Sequence, residues 1–359
     1  MKEFEDVQRG SRYVVNGRFL TRPTTGVDRY ARELVHELDK LVPAGDFVLA
    51  IPGDSEVIDL PDLRNIEIVR AGKRDGILWE QLDLPNYLKR AGATGIHLCN
   101  TAPLVNPGIV CIHDMQIRAN PSFFDWKFVA WYRFLFSFVV PRAKLILTVS
   151  EFSKDEIERF YPKGQGKVEV IANAWQHIER VETDEHILSK HPKLRNGSFY
   201  FAMSSLAPNK NLKWIAETAR ANPLETIVVA GGLNRRVFGK HAIPEAENVV
   251  YLGYVTDCEM KILMGNCKGF LFPTFYEGFG IPPMEALACG APVAVSDASC
   301  MREVYGASAH YVDPNVPCAD LGVLFSEKVK SAHEVLDRYS WQKSAQQLVA
   351  LLEKKDGGF

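Results

Sequence analysis

Short apolar runs of strand length alternate with stretches whose apolar positions recur every three or four residues, the order expected of βα units around mostly parallel sheets. In the first half the predicted strands are YVVNGRFL (13–20), FVLAIP (47–52), IEIV (66–69), GIHLCN (95–100), GIVCIHD (108–114), KLILTVS (144–150) and VEVIAN (168–173). Between the first two, Val27, Tyr30, Ala31, Leu34, Leu38 and Leu41 share one helical face that would pack on a sheet. A polar segment, VETDEHILSKHPKLRNG (181–197), interrupts the pattern. It restarts with SFYFAMS (198–204), TIVVAGG (226–232), NVVYLGYV (248–255), GFLFPTF (269–275) and APVAVSD (291–297). The interruption predicts a first α/β domain over 1–185, a second over 186–340, and a tail helix over 341–359 that caps the second domain or returns to the first. Two such domains would face each other across a cleft, with ligands at the carboxyl ends of the strands; one larger α/β domain is the alternative.

Composition changes this picture little. The 359 residues are 47% hydrophobic and 24% charged, with a formal net charge of -2, which gives no broad attraction for nucleic acid. The seven cysteines form no close pair and predict free thiols in a reducing compartment. No apolar leader is visible in MKEFEDVQRGSRYVV, and the most apolar run, 128–147, carries Arg133, Arg142 and Lys144, which argue against a membrane span. The expectation is a cytoplasmic protein, soluble or peripheral on a membrane. The aromatic stretch from Phe123 to Phe138 is apolar almost all round and predicts burial; contact with lipid headgroups beside Lys127 and Arg133 is the second reading. The pattern names no oligomeric state.

The sharpest chemistry is in PTFYEGFGIPPMEALACGAPVAVSD (273–297), a strand end, a glycine loop and a helix start. Gly278 and Gly280 allow close backbone approach, and the amides at a helix start favour anionic oxygens. Glu277 and Glu285 flank the loop, placed to accept hydrogen bonds from a sugar and from a vicinal diol; two solvated acids on a capped helix are the plain alternative. Lys210, in SSLAPNKNLKW after a strand, could neutralise a departing diphosphate, whereas Lys213 reads as a surface residue. In RPTTGVDRY, Gly26 opens a helix start, with Arg29 one turn on. His113, Asp114 and Ser150 end strands and would reach the sheet's rim, either as hydroxyl-binding groups or as structural hydrogen bonders. No Asp-any-Asp pair and no histidine cluster of metalloenzyme spacing is present, so neither a metal nor another cofactor is expected.

EGFGIPPMEALACGAPVAVSD resembles the C-terminal signature of the family 4 retaining glycosyltransferases, which have the GT-B fold: α/β, two Rossmann-like domains with parallel sheets facing a central cleft. TTGVDRY, IHD, ILTVSEFSKDEI, VIANAW and SSLAPNKNL match in the family's order, over most of the chain outside the first dozen residues and the region after about 315. The resemblance implies that Glu285 binds the donor ribose and that Glu277 lies beside the sugar, with Gly278 and the amides of Phe279, Gly280 and Ile281 around sugar and phosphate. It makes Lys210 the diphosphate lysine, Gly26 part of the loop near the phosphates, and His113 a neighbour of the sugar's C6 hydroxyl. Asp114, Arg29 and Ser150 become candidate acceptor contacts. Two positions depart from the family: Ser204-Ser205 stands where many relatives have Gly-Arg, with Ser205 taken as a donor-binding residue in the arginine's place, and Asn173-Ala174 where Asn-Gly is usual. The implied reaction moves a hexose with retention, mannose from GDP-mannose first and UDP-hexoses next, onto a saccharide or a lipid-diphosphate-linked saccharide. A sugar-phosphate epimerase of the same architecture and a non-catalytic nucleotide-sugar binding module stay open beside it.

Overall fold

The computed structural model describes residues 12–183, 186–191, 194, 197–232 and 245–356. The chain divides into two units, Met1–Asn173 with Trp341–Phe359, and Ala174–Ser340. The boundary expected near residue 185 lies outside the described residues.

The first unit carries a seven-stranded sheet of β1 (Tyr13–Asn16), β2 (Phe47–Pro52), β3 (Glu67–Ala71), β4 (Thr94–His97), β5 (Ile109–Cys111), β6 (Leu145–Thr148) and β7 (Val168–Val170). Its order is β3-β2-β1-β4-β5-β6-β7, every pairing parallel. The second unit has a six-stranded sheet of β8 (Phe199–Met203), β9 (Thr226–Ala230), β10 (Val249–Gly253), β11 (Gly269–Phe272), β12 (Val293–Ser296) and β13 (His310–Val312). Its order is β10-β9-β8-β11-β12-β13, again all parallel. Central strands such as β2, β6 and β11 are buried at every residue, as expected where helices cover both faces of a parallel sheet. In both sheets the direction of winding reverses once, between β1 and β4 and between β8 and β11, and a reversal opens a crevice at the strands' carboxyl ends. Both units are therefore Rossmann-like.

The expected strand 13–20 is cut short. The Asn16 side chain accepts the Arg18 amide at 3.1 Å and turns the chain into a 3-10 helix, Gly17–Thr21. Gly17 packs so tightly on β2 that an added Cβ would stand 2.7 Å from the Ala50 carbonyl. The predicted helix face forms in α1 (Gly26–Leu41), where Tyr30, Ala31, Leu34 and Leu38 are fully buried.

The aromatic stretch departs from the burial expected of it. It forms α2 (Trp126–Arg142), of which Val129, Leu135, Phe136, Val139 and Val140 enter the core. Trp126, Phe128, Phe134 and Phe138 stay exposed, at 71%, 45%, 47% and 37%. The helix is too apolar for one side to hide everything, so its second face is left outside. No helix among the described residues is long and apolar enough to cross a membrane. After β6 comes α3 (Glu151–Phe160), and after β8 comes α4 (Leu212–Ala221). After β11 comes α5 (Ile281–Ala288), and α6 (Trp341–Asp356) is the tail helix.

Helix α6 is part of the first unit and packs along α1. Trp341 is 1% exposed and meets the Tyr30 ring edge-on at 6.0 Å, while Ser344 Oγ donates to the Ala172 carbonyl at 2.7 Å. Replacing so large a buried ring leaves a cavity that the helix pair cannot fully close. Trp341→Ala is expected to lower stability by about 3–5 kcal/mol, read as a fall in the urea midpoint at an unchanged slope.

Candidate functional site

Lys210 and Glu277 lie on loops that leave β8 and β11, the two strands at the second unit's reversal. Although 67 residues apart in sequence, they meet: Lys210 Nζ donates to Glu277 Oε1 at 2.7 Å. The two loops are tied by backbone and side-chain bonds. The Phe275 amide donates to the Asn209 carbonyl at 2.9 Å, and Asn211 Nδ2 donates to the carbonyls of Pro273 at 3.0 Å and Pro314 at 2.7 Å. Asn211 adopts the left-handed conformation at φ 55°, and its side chain caps α4. Lys210 leaves from that fixed corner, its ammonium 5.2 Å from the centre of the Phe272 ring. The Glu277 backbone is held from the other side, its amide donating to Ser299 Oγ at 3.2 Å and its carbonyl accepting from Cys300 Sγ at 3.3 Å.

Beyond Glu277 the chain turns through Gly278, Phe279 and Gly280 into α5. Gly280 is at φ 82°, where an added Cβ would also stand 2.8 Å from Met301 Cε, and Tyr305 Oη donates to its carbonyl. Pro282 and Pro283 have no N–H, so the open donors of the first turn reduce to the amides around Gly280 and Ile281. Phe279 is buried, its ring edge-on to Tyr339 at 5.1 Å. Glu285, one turn further in, is 5% exposed, and His177 Nε2 donates to its Oε1 at 2.6 Å. His177 escaped the sequence reading: it lies 108 residues from Glu285, and only proximity to VIANAW could have drawn attention to it. Ser205, at the arginine position, turns its hydroxyl to the Ala207 amide at 3.3 Å and helps shape the lysine loop.

The first unit has its own cluster. Gly26 is exposed at the start of α1, and an added Cβ would meet nothing within 4 Å, so the fold leaves space there without needing a glycine. Asp28, which the sequence reading passed over, is fully buried. It accepts from the Thr25 amide at 3.0 Å, Thr25 Oγ1 at 2.5 Å and Arg22 at 2.6 Å and 2.8 Å. Its signal was the Thr-x-x-Asp spacing of a helix cap. Arg29 is half-buried on the same helix. His113 is buried, its Nε2 donating to the Leu98 carbonyl at 2.8 Å and its ring edge-on to Tyr30 at 4.8 Å. Ser150 is also buried and caps α3 by accepting the Ser153 amide at 3.1 Å, while Ser153 Oγ donates to the His113 carbonyl at 3.0 Å. Asp114 is half-buried, one oxygen accepting the Gln116 amide at 2.8 Å. Glu80, on a short π-helical turn, gathers Asn16 at 2.8 Å, Thr101 at 2.8 Å and Arg18 at 2.9 Å. Among the described residues, no group of three or more His, Cys, Asp or Glu could hold a metal ion, and the seven cysteines are free.

Two family models match this chain: "Glycosyltransferase Family 4" over residues 24–175 and "Glycosyl transferases group 1" over 184–316. O-antigen chain mannosyltransferase B of Escherichia coli is 26% identical, over 91% of this chain and 95% of the relative. O-antigen chain mannosyltransferase RfbU of Salmonella typhimurium is 30% identical, over 60% of this chain and 59% of the relative. Sucrose-phosphate synthase from Thermosynechococcus elongatus superposes with a TM-score of 0.70 at 13% identity, covering 98% of this chain and all of that one, a likeness of fold. With two Rossmann-like units and these matches, the chain is a glycosyltransferase of the GT-B fold. Within that class it is related to the bacterial mannosyltransferases.

Burial lowers the pKa of His113 from 6.5 to about 4, and that of His97, fully buried at the end of β4, to about 3. A ring that stays neutral in the fold but takes a proton near pH 6.5 once unfolded favours unfolding as pH falls. Between about pH 6.5 and 4 the unfolded chain binds more protons, so stability drops through that window. Urea midpoints should therefore fall from pH 7 to pH 4.5, and His113→Asn should make that fall shallower.

Proposed function

We propose that this chain transfers a hexose, with retention at the anomeric carbon, from a nucleotide-diphosphate sugar to a hydroxyl of a saccharide or lipid-diphosphate-linked saccharide. GDP-mannose is the first donor and a UDP-hexose the second. The observation that carries this reading is the Lys210–Glu277 pair beside the Gly280–Ile281 amides, at the reversal of the second sheet. Without donor the lysine rests on Glu277. A diphosphate entering at the helix start offers the ammonium a doubly charged partner, and Glu277, released, accepts hydrogen bonds from the sugar's hydroxyls. Glu285 accepts the ribose hydroxyls.

In transfer, the bond from the anomeric carbon to the phosphate oxygen breaks and its electron pair stays on that oxygen. The acceptor's hydroxyl oxygen bonds to the same carbon, and its proton passes to the departing phosphate. Charge on the diphosphate grows through this step, so Lys210 and the amides of Phe279, Gly280 and Ile281 stabilise the transition state more than the ground state. The chemistry asks for no metal, because a lysine and helix amides supply the positive end. Gly26 leaves the first unit's helix start open to the donor phosphates, His113 faces the sugar's C6 hydroxyl, and Asp114, Arg29 and Ser150 serve the acceptor. Similarity to two O-antigen mannosyltransferases supports mannose.

A lipid-linked acceptor places the enzyme at the cytoplasmic face of a membrane, and the exposed side of α2 suits that position. Trp126, Phe128, Phe134 and Phe138 lie outward, and Lys127 and Arg142 stand over the rings of Trp126 and Phe138 at 5.8 Å and 5.0 Å.

Lys210→Ala is expected to lower kcat by about 10²- to 10³-fold, the loss typical of one transition-state donor, with a smaller effect on donor KM. Unchanged turnover on every GDP- and UDP-sugar would discard the assignment. Vesicles containing phosphatidylglycerol should sediment with the wild-type protein and much less with Trp126→Ser/Phe134→Ser, while phosphatidylcholine vesicles bind neither.

A further inference from the structure

The chain passes from the first unit to the second after Asn173 and returns after Ser340. Within the second unit, the segments beside these two crossings are bonded to each other: Trp175 Nε1 donates to the Leu336 carbonyl and Gln176 Nε2 to the Tyr339 carbonyl, each at 3.0 Å. One of these segments touches helix α5 and the other the loop before it. His177 Nε2 reaches Glu285 Oε1 at 2.6 Å, and the Tyr339 ring stands against Phe279 at 5.1 Å with the planes 87° apart.

We propose that His177 is a positioning residue, which fixes the Glu285 carboxylate for the donor's vicinal hydroxyls and couples its occupancy to the two crossing segments. The inference rests on Glu285 reading the donor ribose. A carboxylate 5% exposed needs hydrogen-bond donors to remain where it is, and the imidazole supplies one to Oε1. The other oxygen and the remaining lone pairs stay available to hydroxyl groups. Because one oxygen is already held, the diol meets an oriented acceptor and spends little binding energy on arranging it. The same bond runs the other way: a ligand that steadies Glu285 steadies His177, and with it the Trp175 and Gln176 bonds to the returning segment. Tyr339 against Phe279 gives the donor loop a second hold on that segment. The coupling is carried by named hydrogen bonds and one ring contact, all inside residues 174–340.

Calorimetry with GDP and with UDP tests the positioning role on the full chain. His177→Phe keeps a ring and loses the donor, and is expected to weaken the preferred nucleotide about tenfold, the effect of one hydrogen bond to a charged group. His177→Gln, whose amide nitrogen has similar reach, should recover most of the affinity. Hydrogen–deuterium exchange reads the coupling: the nucleotide should slow exchange in peptides covering 174–180 and 335–340 of the wild type, but not of His177→Phe. Should His177→Phe fail to melt cooperatively, His177→Asn, too short to reach Glu285, takes its place with the same expectation. If Glu285→Gln weakens the nucleotide while the His177 variants bind like wild type, His177 has no positioning role. If Glu285→Gln also binds like wild type, the ribose assignment itself is wrong and this inference falls with it.

Discussion

A lysine and a glutamate from distant loops are held 2.7 Å apart because a parallel sheet reverses its winding between β8 and β11. That reversal is the constraint on which the proposed donor site depends. It makes neighbours of two strands 70 residues apart at their starts, sends both following loops to the same edge, and leaves a gap there that no crossover helix covers. A positive side chain, a negative one and a helix start thus converge without any of them being near in sequence. The pair is half-buried, so each charge needs the other until a ligand replaces it. Asn211 and Ser299, both in the left-handed conformation, stand at the bends that fix the two loops.

What the sequence disclosed follows from what is local. Strand positions, the α1 face, the glycine loop and both glutamates are written in short patterns, and the order of elements was enough to expect parallel sheets. The limits were equally physical. Asn16 ends β1 through a side-chain bond to Arg18, which no apolar pattern records. The two faces of α2 look alike in composition, and only the sheet beneath decides which is covered. His177 and Tyr339 depend on contacts across more than fifty residues, and a histidine among nine carries no mark of its partner. Spacing alone could not tell that Lys210 would meet Glu277 and not Glu285.

The two units treat polar burial differently. In the first, Asp28 and Glu80 are each surrounded by arginine and hydroxyl or amide donors, so their charges are spent inside the fold. His113 and His97 are neutral by burial and join as hydrogen-bonding rings, not as carriers of charge. In the second unit Lys210 and Glu277, at the carboxyl ends of the strands, pair with each other and stay partly exposed.

Helix α6 belongs to the first unit yet follows the whole of the second along the chain. During synthesis, then, the surface of α1 that receives Trp341 stays bare while some 170 further residues leave the ribosome, a span estimated from the second unit's length. The amino-terminal half passes that interval without the Tyr30–Trp341 contact, and a chain that stops before α6 never makes it.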